Sequence, residues 1–225
     1  MLEKKLPYKQ KVYEIIKKEI LNGHYAPGDV LNERRLSEEL GISRTPIREA
    51  LQMLEQDQWL KMEIYKGAVV REFDLKYMQD IGQIRKALET CAIEAAIEHI
   101  TEEDIEKLEQ IQNVQRKMVE NFDVVSYIQM DRQFHVHIYD MSRNQELIHL
   151  LRNYYDIFRF LGTQAVMNTS ERRITTLAEH QSILDALKER DVGEAVKAMQ
   201  YHMESTEQNM YAHLKQHSDT EAEQK

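Results

Sequence analysis

The stretch Asn32-Glu33-Arg34-Arg35-Leu36-Ser37-Glu38-Glu39-Leu40-Gly41-Ile42-Ser43-Arg44-Thr45-Pro46-Ile47-Arg48-Glu49-Ala50-Leu51 predicts two short helices joined by a tight turn. Asn32 suits the N-cap of the first, because its side-chain oxygen can accept from orphan amides of the first turn. Gly41 ends that helix, since glycine takes the left-handed conformation that closes it. Ser43 is expected to cap the second helix, and Pro46 in its first turn removes no helical hydrogen bond. Ile47, Ala50, Leu51 and Leu54 bury one side of it. Arg44, Arg48 and Gln52, spaced i, i+4, i+8, line the other, with Thr45 beside them. That is the build of a DNA-reading helix, whose guanidinium groups grip the O6 and N7 of guanine or hold phosphates. Which arginine does which stays open.

Reading outward, Tyr8 to Leu21 forms a helix with Val12, Ile15, Ile16 and Ile20 on one apolar face, stopped by Asn22-Gly23. Pro27-Gly28 makes a turn. After Trp59, Leu60–Ile64 and Ala68–Phe73 read as two strands around Tyr65-Lys66-Gly67. A hairpin after a helix-turn-helix is a wing, and a cation beside bare backbone at Lys66-Gly67 suits phosphate or groove contact. The alternative, a three-helix packing unit with a solvated charged face, does not explain why turn, caps, arginine stripe and wing agree.

The chain has 225 residues, enough for two domains, and 42% hydrophobic residues support a sizeable core. No apolar run approaches the ~20 residues that span a bilayer, so no membrane partner is expected. The start, Met1-Leu2-Glu3-Lys4-Lys5, lacks the apolar stretch of a secretory signal, and the lone Cys91, read as a small core residue, suits a reducing cytoplasm. The net charge of -9 looks wrong for a DNA partner until it is divided. Residues 1–72 hold 13 Lys+Arg against 12 Asp+Glu, net +1; the remainder hold 17 against 27, net -10. The acidic excess belongs to the C-terminal part, which phosphate would repel. Residues 1–73 are therefore read as a winged helix-turn-helix DNA-binding domain.

From Leu75 the sequence reads as amphipathic helices near 75–99, 102–120, 123–142, 144–166, 170–189 and 191–215. Asp74 is expected to cap the first, and Thr101-Glu102-Glu103-Asp104 has the form of a capping box. The fold class is mainly α: a winged helix-turn-helix followed by an all-α bundle of about six helices over 74–217, with 218–225 a frayed tail. The junction at 71–75 is short enough to couple the domains.

Polar residues interrupt the apolar stripes of the bundle. Asp131 and His135 share the face of Tyr127, Phe134 and Ile138. His180 shares the face of Leu177, Ile183, Leu184 and Leu187, and His202 that of Val196, Met199 and Met203. His180 and His202 lie eleven residues on either side of Asp191, so two helices folded there bring them level. One carboxylate and three imidazoles pointing into one bundle could bind a metal with positions left open, or form a satisfied polar core. Arg85 lies on the inward stripe of Ile81, Leu88 and Ala92. It either pairs with an internal carboxylate or clamps an acidic ligand.

The segments Tyr25-Ala26-Pro27-Gly28-Asp29-Val30-Leu31-Asn32-Glu33-Arg34-Arg35-Leu36-Ser37 and Gly41-Ile42-Ser43-Arg44-Thr45-Pro46-Ile47-Arg48-Glu49-Ala50-Leu51 resemble the signature of the GntR family of bacterial transcription regulators. The resemblance implies DNA contacts by Arg34, Ser43, Arg44, Thr45, Arg48, Lys66 and Gly67, and a homodimer on a palindromic double-stranded operator. Ile84-Arg85-Lys86-Ala87-Leu88-Glu89-Thr90-Cys91-Ala92-Ile93-Glu94-Ala95-Ala96 resembles the first helix of the FCD ligand-binding domain, found in the FadR subfamily. Asp131, His135, His180 and His202 resemble that domain's metal motif. This implies a divalent transition metal, Zn first with Ni or Mn as alternatives, and a small organic acid effector bound beside it and paired with Arg85.

The expected function is therefore a metabolite-responsive transcription regulator in the cytoplasm, not an enzyme. The rival is a metal-dependent hydrolase with an accessory DNA-binding domain. It lacks an evident general base: Glu179 adjoins His180 but is turned about 100 degrees from it on the helix.

Overall fold

The computed structural model describes residues 6–72, 75–121, 123–167 and 170–223. The chain divides into two compact units, Met1–Asp74 and Leu75–Lys225. The first holds α1 (Tyr8–Leu21), β1 (Val30–Leu31), α2 (Glu33–Leu40), α3 (Arg44–Gln56), β2 (Leu60–Glu63) and β3 (Gly67–Val70). The second is helical among its described residues: α4 (Leu75–Ile97), α5 (Glu102–Glu120), α6 (Val124–Met141), α7 (Gln145–Met167), α8 (Ser170–Glu189) and α9 (Val192–Glu223).

In the first unit Val12, Ile16 and Ile20 of α1 are buried with Ile47, Ala50, Leu51 and Leu54 of α3. Trp59 and Val70 are also buried, so the wing helps to close this core. Ile15, expected on the apolar face, is exposed; Tyr13 and Lys17 are buried instead. The Lys17 ammonium lies 5.1 Å from the Trp59 ring centroid, so the lysine stem is covered while its charge meets an aromatic face. Asn32 caps α2 by accepting from the Arg34 and Arg35 amides at 2.9 and 3.1 Å. Gly41 closes it at φ 64°. Ser43 occupies the N-cap position of α3, but its side chain makes no cap hydrogen bond. The expected cap is thus positional only.

The sheet has three strands in the order β1-β3-β2, all antiparallel, with Leu31 opposite Ala68 and Met62 opposite Ala68 across the other edge. The hairpin strands are shorter than expected, and Phe73 and Asp74 lie outside the described residues. Strand β1 has no counterpart in the sequence reading. Two residues are too few to show alternation, and Gly28 donating to the Val70 carbonyl at 2.9 Å supplies the pairing that holds them there.

In the second unit α5 packs on α6 and α8, α4 packs on α6, α7 and α9, and α8 packs on α9. Ile93, Leu108, Phe134, Ile138, Ile183, Leu187 and Met199 form its main core. Thr101 and Asp104 make the expected capping box. The turn before α9 is closed by Arg190 at φ 53°, while Gly193 falls inside the helix. Helix α9 continues through 218–223, where the sequence reading placed a frayed tail; 224–225 lie outside the described residues. Cys91, expected in the core, is exposed.

The Asn32 cap is a test of the first unit. Asn32→Ala should cost about 1 kcal/mol. The readout is the denaturation midpoint followed by fluorescence of Trp59, the only tryptophan of the chain. A midpoint unchanged from wild type would show that the cap contributes nothing.

Candidate functional site

Two sets of residues stand out, one in each unit. On the first, Ser43, Arg44, Thr45 and Arg48 are all exposed along the outer side of α3. Burial of Ile47, Ala50, Leu51 and Leu54 turns them there. The Arg48 guanidinium is not idle: it forms a two-pronged ion pair with Glu33 of α2, at 3.0 Å from Nε and 2.9 Å from Nη2. The hydrogen bond from Arg48 is the main reason the Glu33 pKa is lowered. Arg34 lies 3.8 Å from Glu38, and Lys66 lies 2.8 Å from Glu63. These exposed pairs are weak and replaceable.

The wing tip differs from the expected Lys66-Gly67. The three residues 64–66 connect Glu63 to Gly67, and Tyr65 sits at φ 71°. Ile64 and Tyr65 are 83% and 103% exposed, so the tip projects two large apolar side chains besides the cation. Ile64, expected in a strand, lies beyond β2 in the turn.

In the second unit, His135 of α6, His180 of α8 and His202 of α9 are buried and converge, each offering a nitrogen within 4.8 Å of the others. His135 Nε2 lies 3.1 Å from His202 Nε2. Phe134 stacks on His180 at 4.2 Å between centroids, with the rings 8° from parallel. Asp131 stands at the rim, half-buried, with Oδ1 3.5 Å from His180 Nε2 and Oδ2 accepting from the Tyr155 hydroxyl at 2.6 Å. The structure thus brings together all four residues singled out from the stripes.

The outer nitrogens are engaged as well. His135 Nδ1 meets Glu89 Oε2 at 3.2 Å, His180 Nδ1 meets Gln115 Oε1 at 3.2 Å, and His202 Nδ1 meets Glu179 Oε2 at 2.7 Å. Each carboxylate is itself held. Glu89 takes Arg85 at 2.9 Å and the Tyr139 hydroxyl, and Glu179 takes Arg172 at 2.5 and 2.9 Å. Burial would raise the Glu89 pKa; the His135 ring and the Arg85 guanidinium outweigh it and hold it at about 2. Burial, reinforced by the other two rings, pushes His180 well below the usual imidazole value. His202 is lowered too, by burial against the opposing bond to Glu179.

This arrangement suits a cation. An ionised carboxylate only accepts, so the Nδ1 atoms of His135 and His202 carry protons where they face Glu89 and Glu179. At 3.1 Å the two Nε2 atoms are close enough to share either a proton or a metal ion. His180 Nε2 is buried with no hydrogen-bond partner. Three imidazoles and one carboxylate at this spacing could hold a metal ion.

Of the three holders, Glu89 and Gln115 are given no role by the sequence analysis. A signal existed for Gln115, which with Gln112 interrupts the buried stripe of Leu108 and Ile111, the criterion that selected the histidines. Glu179 was set aside as turned away from His180. It is turned away, but towards His202 on the neighbouring helix. Of the two readings of Arg85, the internal pair is present, with Glu89; the guanidinium also lies 5.0 Å from the Tyr155 ring centroid.

Comparison with known proteins agrees with both units. Residues 8–70 match the bacterial regulatory proteins of the gntR family, and residues 80–205 match the FCD domain. The "Uncharacterized HTH-type transcriptional regulator YdhC" of Bacillus subtilis (strain 168) is 33% identical over 193 residues, 84% of this chain and 85% of that protein. The "Uxu operon regulator" of Haemophilus influenzae is 30% identical over 221 residues, 89% of this chain and 81% of its own. The solved structure of "E. coli McbR/YncC" has the same fold, with a TM-score of 0.80 at 23% identity over 93% of this chain and 100% of that one. These relatives are transcriptional regulators rather than enzymes, and among the described residues no helix is long and apolar enough to cross a membrane. The chain belongs to the gntR family of bacterial regulatory proteins, as a DNA-binding transcription regulator with a C-terminal FCD domain.

Proposed function

We propose that this regulator works in the cytoplasm as a homodimer on a palindromic operator, and that a metal-bound small carboxylate sets its DNA affinity. The observation that carries this reading is the convergence of three buried imidazoles whose Nδ1 atoms are all engaged on the outside. His135, His180 and His202 would hold the metal, with Asp131 as the rim ligand. Zn is the first choice, and Ni or Mn fit the same donors. A bound ion of this kind supplies a Lewis-acidic site for an oxygen ligand. The chain's own residues do the rest: Phe134 and Tyr155 shield the centre, and the effector carboxylate is placed on the Asp131 side. Arg85 supplies positive field there, and direct contact requires its guanidinium to turn from Glu89.

On DNA, Arg34, Ser43, Arg44, Thr45, Arg48, Lys66 and Gly67 form the contact set. Glu33 and Glu63 occupy Arg48 and Lys66 in the free protein, so phosphate or base oxygens take over partners already paired to carboxylate oxygens. The effector alters DNA affinity to the extent that it binds one state of the protein better than the other.

Three outcomes are expected. The purified protein carries about one transition-metal equivalent per chain, in keeping with one closed ligand set, and His180→Ala loses it; elemental analysis decides. Metal-free wild type that takes up none on reloading would contradict the reading. Arg44→Ala and Arg48→Ala each weaken sequence-selective DNA binding by about tenfold or more without loss of fold, as a base contact worth ~1–3 kcal/mol requires. Wild-type affinity in both variants would move DNA recognition elsewhere. Finally, among small organic acids at least one changes operator affinity of the metal-loaded protein and none does so for His180→Ala. An acid response that survives the loss of metal would separate effector from metal.

A further inference from the structure

The ligand histidines are held from outside by residues on other helices. Glu89 of α4 engages His135 of α6; Gln115 of α5 engages His180 of α8; Glu179 of α8 engages His202 of α9. Tyr155 of α7 engages Asp131 of α6. All six helices of the unit therefore contribute either a converging group or its holder. The two glutamates are anchored in turn by buried arginines, Arg85 and Arg172. Gln115 has no such anchor among the described residues: its Nε2 is buried and makes no hydrogen bond there. A buried amide with half its hydrogen-bonding capacity unused is costly. Gln115 is buried on the same helix as Leu108 and Ile111, a place where an apolar side chain of similar shape would serve packing as well.

We infer that Glu89, Gln115 and Glu179 are positioning residues that fix each histidine as the Nδ1–H tautomer and so direct three Nε2 lone pairs at one metal ion. The inference rests on the metal reading above. It follows from the acceptor chemistry of the holders: an oxygen facing Nδ1 accepts its proton and leaves Nε2 free to ligate. Gln115 presents Oε1 to His180, so it acts as a neutral version of what the two glutamates do.

The test uses the full chain, stripped and reloaded with Zn(II), its affinity read by competition with a chromophoric chelator. Gln115→Met should bind Zn(II) about 10–100-fold more weakly than wild type. Gln115→Glu, which restores an acceptor oxygen, should recover most of that loss. Gln112→Met is the control, because Gln112 is also buried on the same helix but donates to the Leu177 carbonyl. It should bind Zn(II) as wild type does. Equal losses in Gln115→Met and Gln112→Met would reduce Gln115 to a packing role and overturn the inference, as would wild-type affinity in Gln115→Met. A second readout needs no variant. Zn(II)-loaded wild type should show slowly exchanging, downfield Nδ1–H proton resonances for the three histidines, and rings protonated at Nε2 would overturn the assignment. If wild type takes up no Zn(II), the metal reading itself fails, and that failure is distinct from a wild type that binds while the variants do not differ.

Discussion

Placing three imidazoles in a dry helical interior imposes a condition that much of the second unit meets. Each ring has two nitrogens, and each buried nitrogen needs a partner. On the outer side the partners are Glu89, Gln115 and Glu179, and burying two carboxylates brings in Arg85 and Arg172 to neutralise them. On the inner side the histidines have only one another and Asp131. A bundle built solely for stability would avoid this, since well-packed apolar residues of similar volume are often as good or better. The polar centre is therefore a candidate functional site, set inside an ordinary core of Ile93, Leu108, Phe134, Ile138, Ile183 and Met199.

The first unit solves an opposite problem. It must leave charged groups outside while burying enough to hold a small domain together. Trp59, Leu60 and Val70 bring the wing strands into the core of α1 and α3, so the hairpin is both a structural element and a projecting surface. Arg34, Arg48 and the wing lysine Lys66 on that surface are paired to glutamates. This lowers the net field of the free protein and explains how a domain with a charge of only +1 over residues 1–72 can still present a DNA-binding face. Those exposed pairs are worth little in water, and phosphate competes for them readily.

Much of this was legible in the sequence because periodicity and caps are local. The Asn32 and Gly41 signals placed α2, the Thr101–Asp104 box placed α5, and the histidines stood out as polar interruptions of apolar stripes. What escaped depends on contacts between distant segments. Strand β1 exists because Gly28 and Asp29 pair with Val70, some forty residues away. Glu179 was rejected by considering its own helix, whereas its partner His202 lies on the next one. Glu89 hid among ordinary helix-forming glutamates, and only the packing of α4 on α6 makes it a histidine partner. Ile15, expected inside, shows the reverse error: a helical stripe marks the face that packs, but not its edges.

The account stands on a cation shared by three Nε2 atoms. Anomalous diffraction from crystals of the purified protein, collected on either side of a transition-metal absorption edge, tests that directly. One strong anomalous peak per chain is expected among the Nε2 atoms of His135, His180 and His202, within bonding distance of all three and with Asp131 Oδ1 beside it. No peak there, or a peak on surface histidines such as His24 with the three buried rings hydrogen-bonded only to one another, would contradict it.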